Sequence, residues 1–184
     1  RQLWRAGEMM PRVLEGYVFP AEWEPHDGIL LSWPHDITTF PAMKKVELAY
    51  VAIIRALQES EDVHLLVTGK DMKKRVLSLL AEASVDVKKI IFYEHDYADV
   101  WFRDYGPTFV INRTTKKRAM VKWTFNAWGN KYEELLKDDD VPLFLYSTLR
   151  LAFFESCMVN EGGAIETYGD VLLTTVSVLL PCSA

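Results

Sequence analysis

The stretch VHLLVTGKDMKKRVLSLLAEASVDVKKIIFY, residues 63–93, decides the fold class. Residues 63–67 form a short apolar run that stops at a Thr-Gly pair, which is typical of a buried strand. Residues 71–82 carry apolar side chains at helical spacing, and residues 90–93 form a second apolar run. The stretch therefore predicts a strand, a helix and a second strand.

The residues before this stretch show the same alternation. The run GILLSW, residues 28–33, predicts a buried strand that ends at Pro34. Residues 43–60 carry apolar side chains on one helical face and charged side chains on the other, which predicts an amphipathic helix. A chain that alternates strands and helices in this way is predicted to be an α/β protein, with helices packed on a sheet.

The part of the chain after residue 100 contains more predicted strands. They cover residues 108–112, 119–125, 164–167 and 171–175, and a helix is predicted over residues 131–137. Because the residues between the first two strands are polar, these strands are predicted to form a hairpin.

Composition and charge indicate a globular domain and exclude several classes of protein. Of the 184 residues, 49% are hydrophobic and 26% are charged, as in ordinary folded domains. The formal net charge of -5, without a dense block of Lys and Arg, argues against a nucleic-acid partner. No apolar stretch is long enough to cross a bilayer, and the first eight residues lack an apolar signal core. We therefore expect a cytoplasmic protein with no membrane partner.

The same features predict the domain organisation. Residues 1–8 precede two methionines and are expected to be an N-terminal extension, and residues 9–184 are expected to form one domain. The two cysteines, Cys157 and Cys182, show no spacing typical of a metal site or a disulfide framework. We therefore expect reduced thiols and no metal.

The densest group of chemically active side chains is DVWFRDYGP, residues 99–107. It places two acids and an arginine between a predicted strand and a Gly-Pro turn, where a rigid scaffold can present side chains to a cleft. The alternative is a surface turn with an Arg-Asp pair, which contributes little to stability.

A second group is NEGGAI, residues 160–165. Its paired glycines permit either a close approach of the backbone to another group or a φ that other residues avoid. A glutamate placed just before them could orient a histidine or hold a cationic substrate. The alternative is a plain turn.

Several motifs in a fixed order resemble one family. PAEWEPHD (20–27), SWP (32–34), DVWFRDYGPTFVIN (99–112), FNAWGNKY (125–132) and EGGAIETYG (161–169) resemble the agmatine deiminase and bacterial peptidyl-arginine deiminase family, in the same order. The resemblance covers about residues 17 to 180. It implies a partial pentein, an α/β propeller, of which the chain holds roughly the first half of the five repeated units.

The resemblance also implies a reaction. Members of the family hydrolyse a guanidinium group and release ammonia, so that agmatine becomes N-carbamoylputrescine, a step of putrescine biosynthesis, or arginine becomes citrulline. No metal or organic cofactor takes part. A cysteine thiolate attacks the guanidinium carbon, a histidine acts as acid and base, and carboxylates bind the planar cation.

Two residues match the family's carboxylates, and four others are predicted to bind the substrate. Asp104 matches the acid that binds the guanidinium nitrogens, and Glu161 matches the carboxylate that pairs with the catalytic histidine or the substrate; these two are the predicted catalytic residues. The predicted substrate-binding residues are Asp99 and Trp101 beside that acid, Arg103 as its brace, and Trp33 as a stacking residue.

The sequence departs from the family pattern after the EGG motif. The family's His-x-Asp motif and its Gly-rich segment with the nucleophilic cysteine have no match here, and the last residues read VLLPCSA. Cys182 lacks the glycines and the histidine that would make it a substitute. We therefore expect this chain to be inactive alone.

Alternative functions are a guanidine-binding module or a homodimeric scaffold, in which a second copy covers an exposed sheet edge or apolar flank. The missing part of the site could also come from another polypeptide. Agmatine, arginine and peptidyl-arginine all remain open as the substrate.

Overall fold

The computed structural model describes residues 16–169 and 171–175 of the chain. The strands are β1 (Tyr17–Val18), β2 (Gly28–Ser32), β3 (Asp62–Val67), β4 (Ile90–Glu94), β5 (Thr108–Asn112), β6 (Arg118–Thr124), β7 (Ala152–Val159), β8 (Ile165–Tyr168) and β9 (Val171–Thr174). The α-helices are α1 (Met43–Leu57), α2 (Lys70–Glu82), α3 (Phe102–Tyr105) and α4 (Val141–Leu149). Short 3-10 helices span Val87–Lys89, Glu133–Asp140 and Gly162–Ala164.

The chain divides into two compact units. The parallel-sheet unit consists of Pro25–Phe102, and the mixed-sheet unit consists of residues 16–24 together with the described residues from Arg103 onward. The predicted extension, residues 1–8, lies outside the described residues, and the assignment of one domain stays a prediction.

The parallel-sheet unit confirms the α/β alternation. Its strands pair in parallel in the order β2-β3-β4, and α1 and α2 connect them. The apolar run of β3 lies at the centre of the core, with Val63, Leu65 and Val67 fully buried. Glu47 on α1 is buried and accepts two hydrogen bonds from Arg75 on α2, at 2.7 and 2.6 Å. This ion pair joins the two helices.

The mixed-sheet unit contains a four-stranded sheet in the order β1-β5-β6-β7. The predicted hairpin is confirmed, since β5 and β6 pair antiparallel around residues 113–117. In its turn, Asn112 Oδ1 accepts hydrogen bonds from the backbone amides of Thr114 and Thr115 at 3.1 and 2.9 Å. Lys116 adopts a left-handed φ of 58° there.

The connection from β6 to β7 differs from the sequence prediction. β6 and β7 are parallel, and between them lie the 3-10 helix Glu133–Asp140 and helix α4. The predicted helix over residues 131–137 is therefore a 3-10 helix, and neither α4 nor the full length of β7 was predicted. α4 is apolar on nearly every side, so it has no polar face to reveal its period.

Strands β8 and β9 form a separate antiparallel pair, as predicted. All four residues of β9 are exposed. Within the described residues, no helix has the length and apolar character needed to span a membrane.

Cys157 on β7 is disulfide-bonded. This corrects the expectation of reduced thiols; sequence spacing reveals short-range motifs, but not a pairing that tertiary structure sets. Cys182 lies outside the described residues.

Candidate functional site

The two predicted catalytic carboxylates belong to the mixed-sheet unit. Asp104 lies on the short helix α3, and the next residue, Tyr105, anchors it because its buried ring packs edge-on against Phe125 at 6.1 Å. Glu161 follows the end of β7 and precedes the 3-10 helix Gly162–Ala164. The sheet and α3 therefore place each carboxylate at the end of a regular element.

The paired glycines let the two segments touch. A Cβ added at Gly162 would lie 2.5 Å from the carbonyl oxygen of Arg103, and one added at Gly163 would lie 3.7 Å from Asp104 Oδ1. Neither glycine has a left-handed φ. Of the two explanations that the sequence left open for this pair, the structure supports close backbone approach.

The electrostatics of Asp104 and Glu161 are coupled. Burial raises the pKa of Asp104 above its ordinary value of 3.8, and the positive charge of Arg103 offsets only part of this. Burial also raises the pKa of Glu161 above 4.5, and the negative charge of Asp104 raises it further. The site therefore holds two carboxylates that are poorly solvated and repel each other.

Arg103 directs its guanidinium group toward other acids. It forms a close ion pair with Glu22 and lies 3.8 Å from Glu166, with about half of its side chain exposed. The predicted brace of Asp104 thus acts on that carboxylate through its charge. Its role in binding a substrate stays a prediction.

The other predicted binding residues belong to the parallel-sheet unit. Asp99 is buried, and its carboxylate accepts hydrogen bonds from the amide of Val100 at 2.8 Å and from Trp101 Nε1 at 3.0 Å. Asp99 therefore orients the partly exposed indole of Trp101. Burial, followed by the charge of Asp99, also raises the pKa of Tyr50 to about 12.

Trp33 lies in the hydrophobic core of the same unit. It is 1% exposed and packs edge-on against the ring of Tyr50 at 5.8 Å. A role for Trp33 in stacking on a substrate stays a prediction. The structure thus brings Asp104, Arg103 and Glu161 together in one unit, and Asp99, Trp101 and Trp33 belong to the other.

The FNAWGN segment, whose glycine is compatible with a turn, forms a turn with a strained backbone that the sequence did not predict. Ala127, Trp128, Gly129 and Asn130 have φ values of 50°, 56°, 82° and 59°, a left-handed run that costs energy at residues with a Cβ. The side chain of Asn126 stabilises it by accepting a hydrogen bond from the amide of Gly129 at 2.8 Å. The single glycine is a signal for a turn, but only the structure reveals the left-handed φ of its non-glycine neighbours.

A buried ion pair fixes the start of this segment. Lys122 Nζ lies 2.8 Å from both carboxylate oxygens of Asp139, and Asp139 Oδ1 also accepts a hydrogen bond from the amide of Phe125 at 2.7 Å. The Lys122 side chain is only 4% exposed. A lysine on a strand usually faces solvent, so no sequence signal indicates this pair.

Together, the fold and the coupled carboxylates define an α/β protein with an acidic site. Residues 18–182 match the sequence pattern of the Porphyromonas-type peptidyl-arginine deiminase family. The chain belongs to this family, which confirms the resemblance found in the sequence.

Individual relatives agree with this assignment. The chain is 30% identical over 168 residues to a provisionally named agmatine deiminase of Legionella pneumophila (strain Paris), covering 90% of this chain and 46% of that protein. It is 28% identical over 181 residues to a provisionally named agmatine deiminase of Pectobacterium atrosepticum, with 90% and 45% covered. The chain spans about half the length of the curated relatives it matches.

A solved structure shows the same fold. The agmatine deiminase of C. jejuni, a Cys-to-Ser variant with substrate bound, superposes with a TM-score of 0.71 at 26% identity. The match covers 87% of this chain and 46% of that one. The α/β architecture predicted from the sequence is therefore confirmed.

Proposed function

We propose that this chain supplies the cation-binding carboxylates of a deiminase that hydrolyses a guanidinium group and releases ammonia. The observation that carries the proposal is the coupling between Asp104 and Glu161. Two poorly solvated carboxylates that repel each other are stabilised by a cation between them. A guanidinium group is planar, always charged and rich in N–H donors, so one such group can satisfy both carboxylates with paired hydrogen bonds.

The proposed reaction replaces one guanidinium nitrogen with oxygen from water. The substrate's C–N bond breaks, ammonia leaves and the product is a urea derivative. Asp104 and Glu161 would orient the guanidinium carbon for attack and hold the positive charge during it. Among the described residues, no position matches the family's nucleophilic cysteine or its histidine. We therefore assign turnover to the protein that joins those groups to this chain, and ligand binding to the chain itself.

The substrate class follows the same reasoning. Agmatine and arginine both present a terminal guanidinium group, and the relatives named above include an agmatine deiminase with substrate bound. We propose a small guanidino compound as the partner. The five-bladed pentein arrangement is the architecture we propose for the complete protein, because the chain covers 46% of the C. jejuni enzyme.

Calorimetry on the chain and two matched variants tests the binding proposal. We expect millimolar agmatine to give a measurable heat, and Asp104→Asn to weaken the affinity at least about tenfold, because one charge-assisted pair is lost. Asp140→Asn, a control at an exposed carboxylate in the same unit, should bind like the wild type. Wild-type affinity in Asp104→Asn would contradict the proposal, as would the absence of heat from the wild type.

An ammonia-release assay tests whether the chain binds the ligand without turning it over. We expect no steady turnover of agmatine or arginine by the chain alone. Steady turnover that Asp104→Ala abolishes would show instead that the chain carries a complete active site.

A specific surface favours self-association as a second proposal. We propose that the apolar flank formed by Trp23, Tyr168, Val171 and Leu173 is covered by a second copy of the chain. Tyr168 and Leu173 are 67% and 65% exposed, and the rings of Trp23 and Tyr168 lie 5.7 Å apart. Tyr168 also pairs with Val171 across the two strands, so these side chains form one face.

Sedimentation at low micromolar concentration tests this proposal. We expect a dimer for the wild type and a monomer for Leu173→Glu. Leu48 on α1 is similarly exposed and belongs to the other unit, so Leu48→Glu should leave the dimer intact. A wild-type chain that sediments only as a monomer would contradict self-association.

A further inference from the structure

Asn160 is a buried amide whose hydrogen-bonding capacity is unused. It is 1% exposed, and within the part of the chain that the structure describes neither its Oδ1 nor its Nδ2 has a hydrogen-bond partner. A buried amide without partners destabilises a fold, and such groups are rare in native proteins. We therefore expect a ligand or a water molecule to form hydrogen bonds with this side-chain amide.

The position of Asn160 connects it with the acidic site. It directly precedes Glu161 and lies two residues before Gly162, whose added Cβ would be 2.5 Å from the Arg103 carbonyl oxygen. Two residues of chain span at most about 7 Å, so Asn160 lies close to the Arg103–Asp104 segment.

The sheet gives a second, independent indication. The backbone N–H of Asn160 donates to the carbonyl oxygen of Thr124 at 3.4 Å, so the residue lies just beyond the carboxyl ends of the parallel strands β6 and β7. In open α/β sheets, ligands bind outside the carboxyl ends of the strands, at the point where the strand order reverses, so the position of Asn160 at this edge is compatible with a ligand.

We propose that Asn160 is a further ligand-binding residue of the acidic site. Its Oδ1 accepts a hydrogen bond from a guanidinium N–H, and its Nδ2 donates to an ordered water. A neutral acceptor beside two carboxylates adds a hydrogen bond to the cation without adding a third repelling charge. This inference rests on the proposed function, since it names a residue that binds the same ligand.

Two asparagine variants with opposite expectations test the inference. Asn160→Leu replaces the unpaired amide with an apolar group, so the melting temperature without ligand should rise. Its Kd for agmatine should rise about tenfold or more, because a hydrogen bond to a charged donor is lost. Asn112→Leu is the matched control, because Asn112 Oδ1 accepts two hydrogen bonds from backbone amides in the β5–β6 turn. It should lower the melting temperature and leave the Kd unchanged.

A third variant keeps the test decisive if Asn160→Leu does not fold. Asn160→Asp retains an oxygen acceptor in the same place, and its added negative charge destabilises the ligand-free chain but attracts the cation, so its Kd for agmatine should rise no more than about threefold above the wild-type value. A Kd more than about tenfold higher in Asn160→Asp would overturn the inference. An unchanged Kd in a folded Asn160→Leu would also overturn the inference. If that variant in addition has a lower melting temperature, the side-chain amide of Asn160 binds a structural water instead of the ligand.

The same experiment separates this inference from the proposed function. If the wild type binds agmatine and Asn160→Leu binds it equally well, only the assignment of Asn160 fails. If the wild type binds no agmatine, the proposed function fails and the assignment of Asn160 fails with it.

Discussion

The contact between Gly162 and Arg103 gives the sharpest test of how the site is built. An alanine Cβ at residue 162 would meet the Arg103 carbonyl oxygen at 2.5 Å, whereas ordinary contacts begin at 3.4 Å. The two segments must therefore separate by close to an ångström. Because the atom in the way belongs to the backbone, no side-chain rotation relieves the clash.

The cost of Gly162→Ala follows from that displacement. Overpacking a close-packed interior costs about 1–3 kcal/mol, and a clash with backbone belongs in the upper half of that range. We expect the free energy of unfolding to fall by about 2–3 kcal/mol, which lowers the melting temperature by about 4–12 °C for a chain of this size. The affinity for agmatine should also fall, because the separation moves Glu161 away from Asp104.

Gly163→Ala is the matched control for this prediction. Its added Cβ would lie 3.7 Å from Asp104 Oδ1 and 3.9 Å from Arg103 Cγ, which are ordinary contacts. We expect a change between zero and a gain of about 1 kcal/mol, because alanine reduces the freedom of the unfolded chain.

Urea unfolding followed by tryptophan fluorescence measures both variants, with the slope m as a check that the unfolded state is unchanged. Equal losses of stability in the two variants would refute the reasoning, as would a loss below about 0.5 kcal/mol for Gly162→Ala.

Three further predictions concern charge and backbone strain. Because the folded-state pKa of Asp104 is raised, the folded chain binds a proton at this carboxyl more readily than the unfolded chain does. The free energy of unfolding therefore falls as pH rises from about 4 through the raised pKa. In urea unfolding at several pH values, Asp104→Asn should show a smaller pH dependence in this window and should be more stable than the wild type at pH 7. Lys122→Met should lower the free energy of unfolding by about 2 kcal/mol, because the Asp139 carboxylate loses its ion-pair partner. The 31% exposure of the Asp139 side chain reduces this loss. A change below about 0.5 kcal/mol in urea unfolding would contradict the prediction. Lys116→Gly should raise the free energy of unfolding by about 0.5–1 kcal/mol. Glycine relieves the strain of the left-handed φ of 58°, and this gain outweighs the greater conformational entropy of glycine in the unfolded chain. A lower melting temperature of the variant would show that the lysine backbone is unstrained.

Local sequence pattern was sufficient for the parallel-sheet unit. Its strands are continuous apolar runs and its helices have one apolar face, so spacing alone locates β2, β3, β4, α1 and α2. The pattern failed at α4 and β7 for identifiable reasons. α4 has no polar face, and it ends at Arg150 in the left-handed region, where a glycine usually marks the end of a helix.

The sequence predicted the candidate site as a set of residues, but not their arrangement. Motif order nominated Asp104 and Glu161, yet their coupling depends on a contact between segments that are far apart in the chain. The unpaired amide of Asn160 was part of a quoted motif, but burial of its side chain is a tertiary property. The disulfide at Cys157 is likewise set by tertiary structure.

The close approach at Gly162 and the raised pKa values have opposite consequences for stability. The contact packs two segments together and stabilises the fold, whereas the carboxylates that it brings near each other are poorly solvated and repel. Removing the charge at Asp104 should therefore increase stability and weaken binding, while disturbing the contact at Gly162 should reduce both. Because the fold would be more stable without this unfavourable charge pair, its presence on a favourable packing contact is consistent with the proposed function, in which the charges bind a cationic ligand.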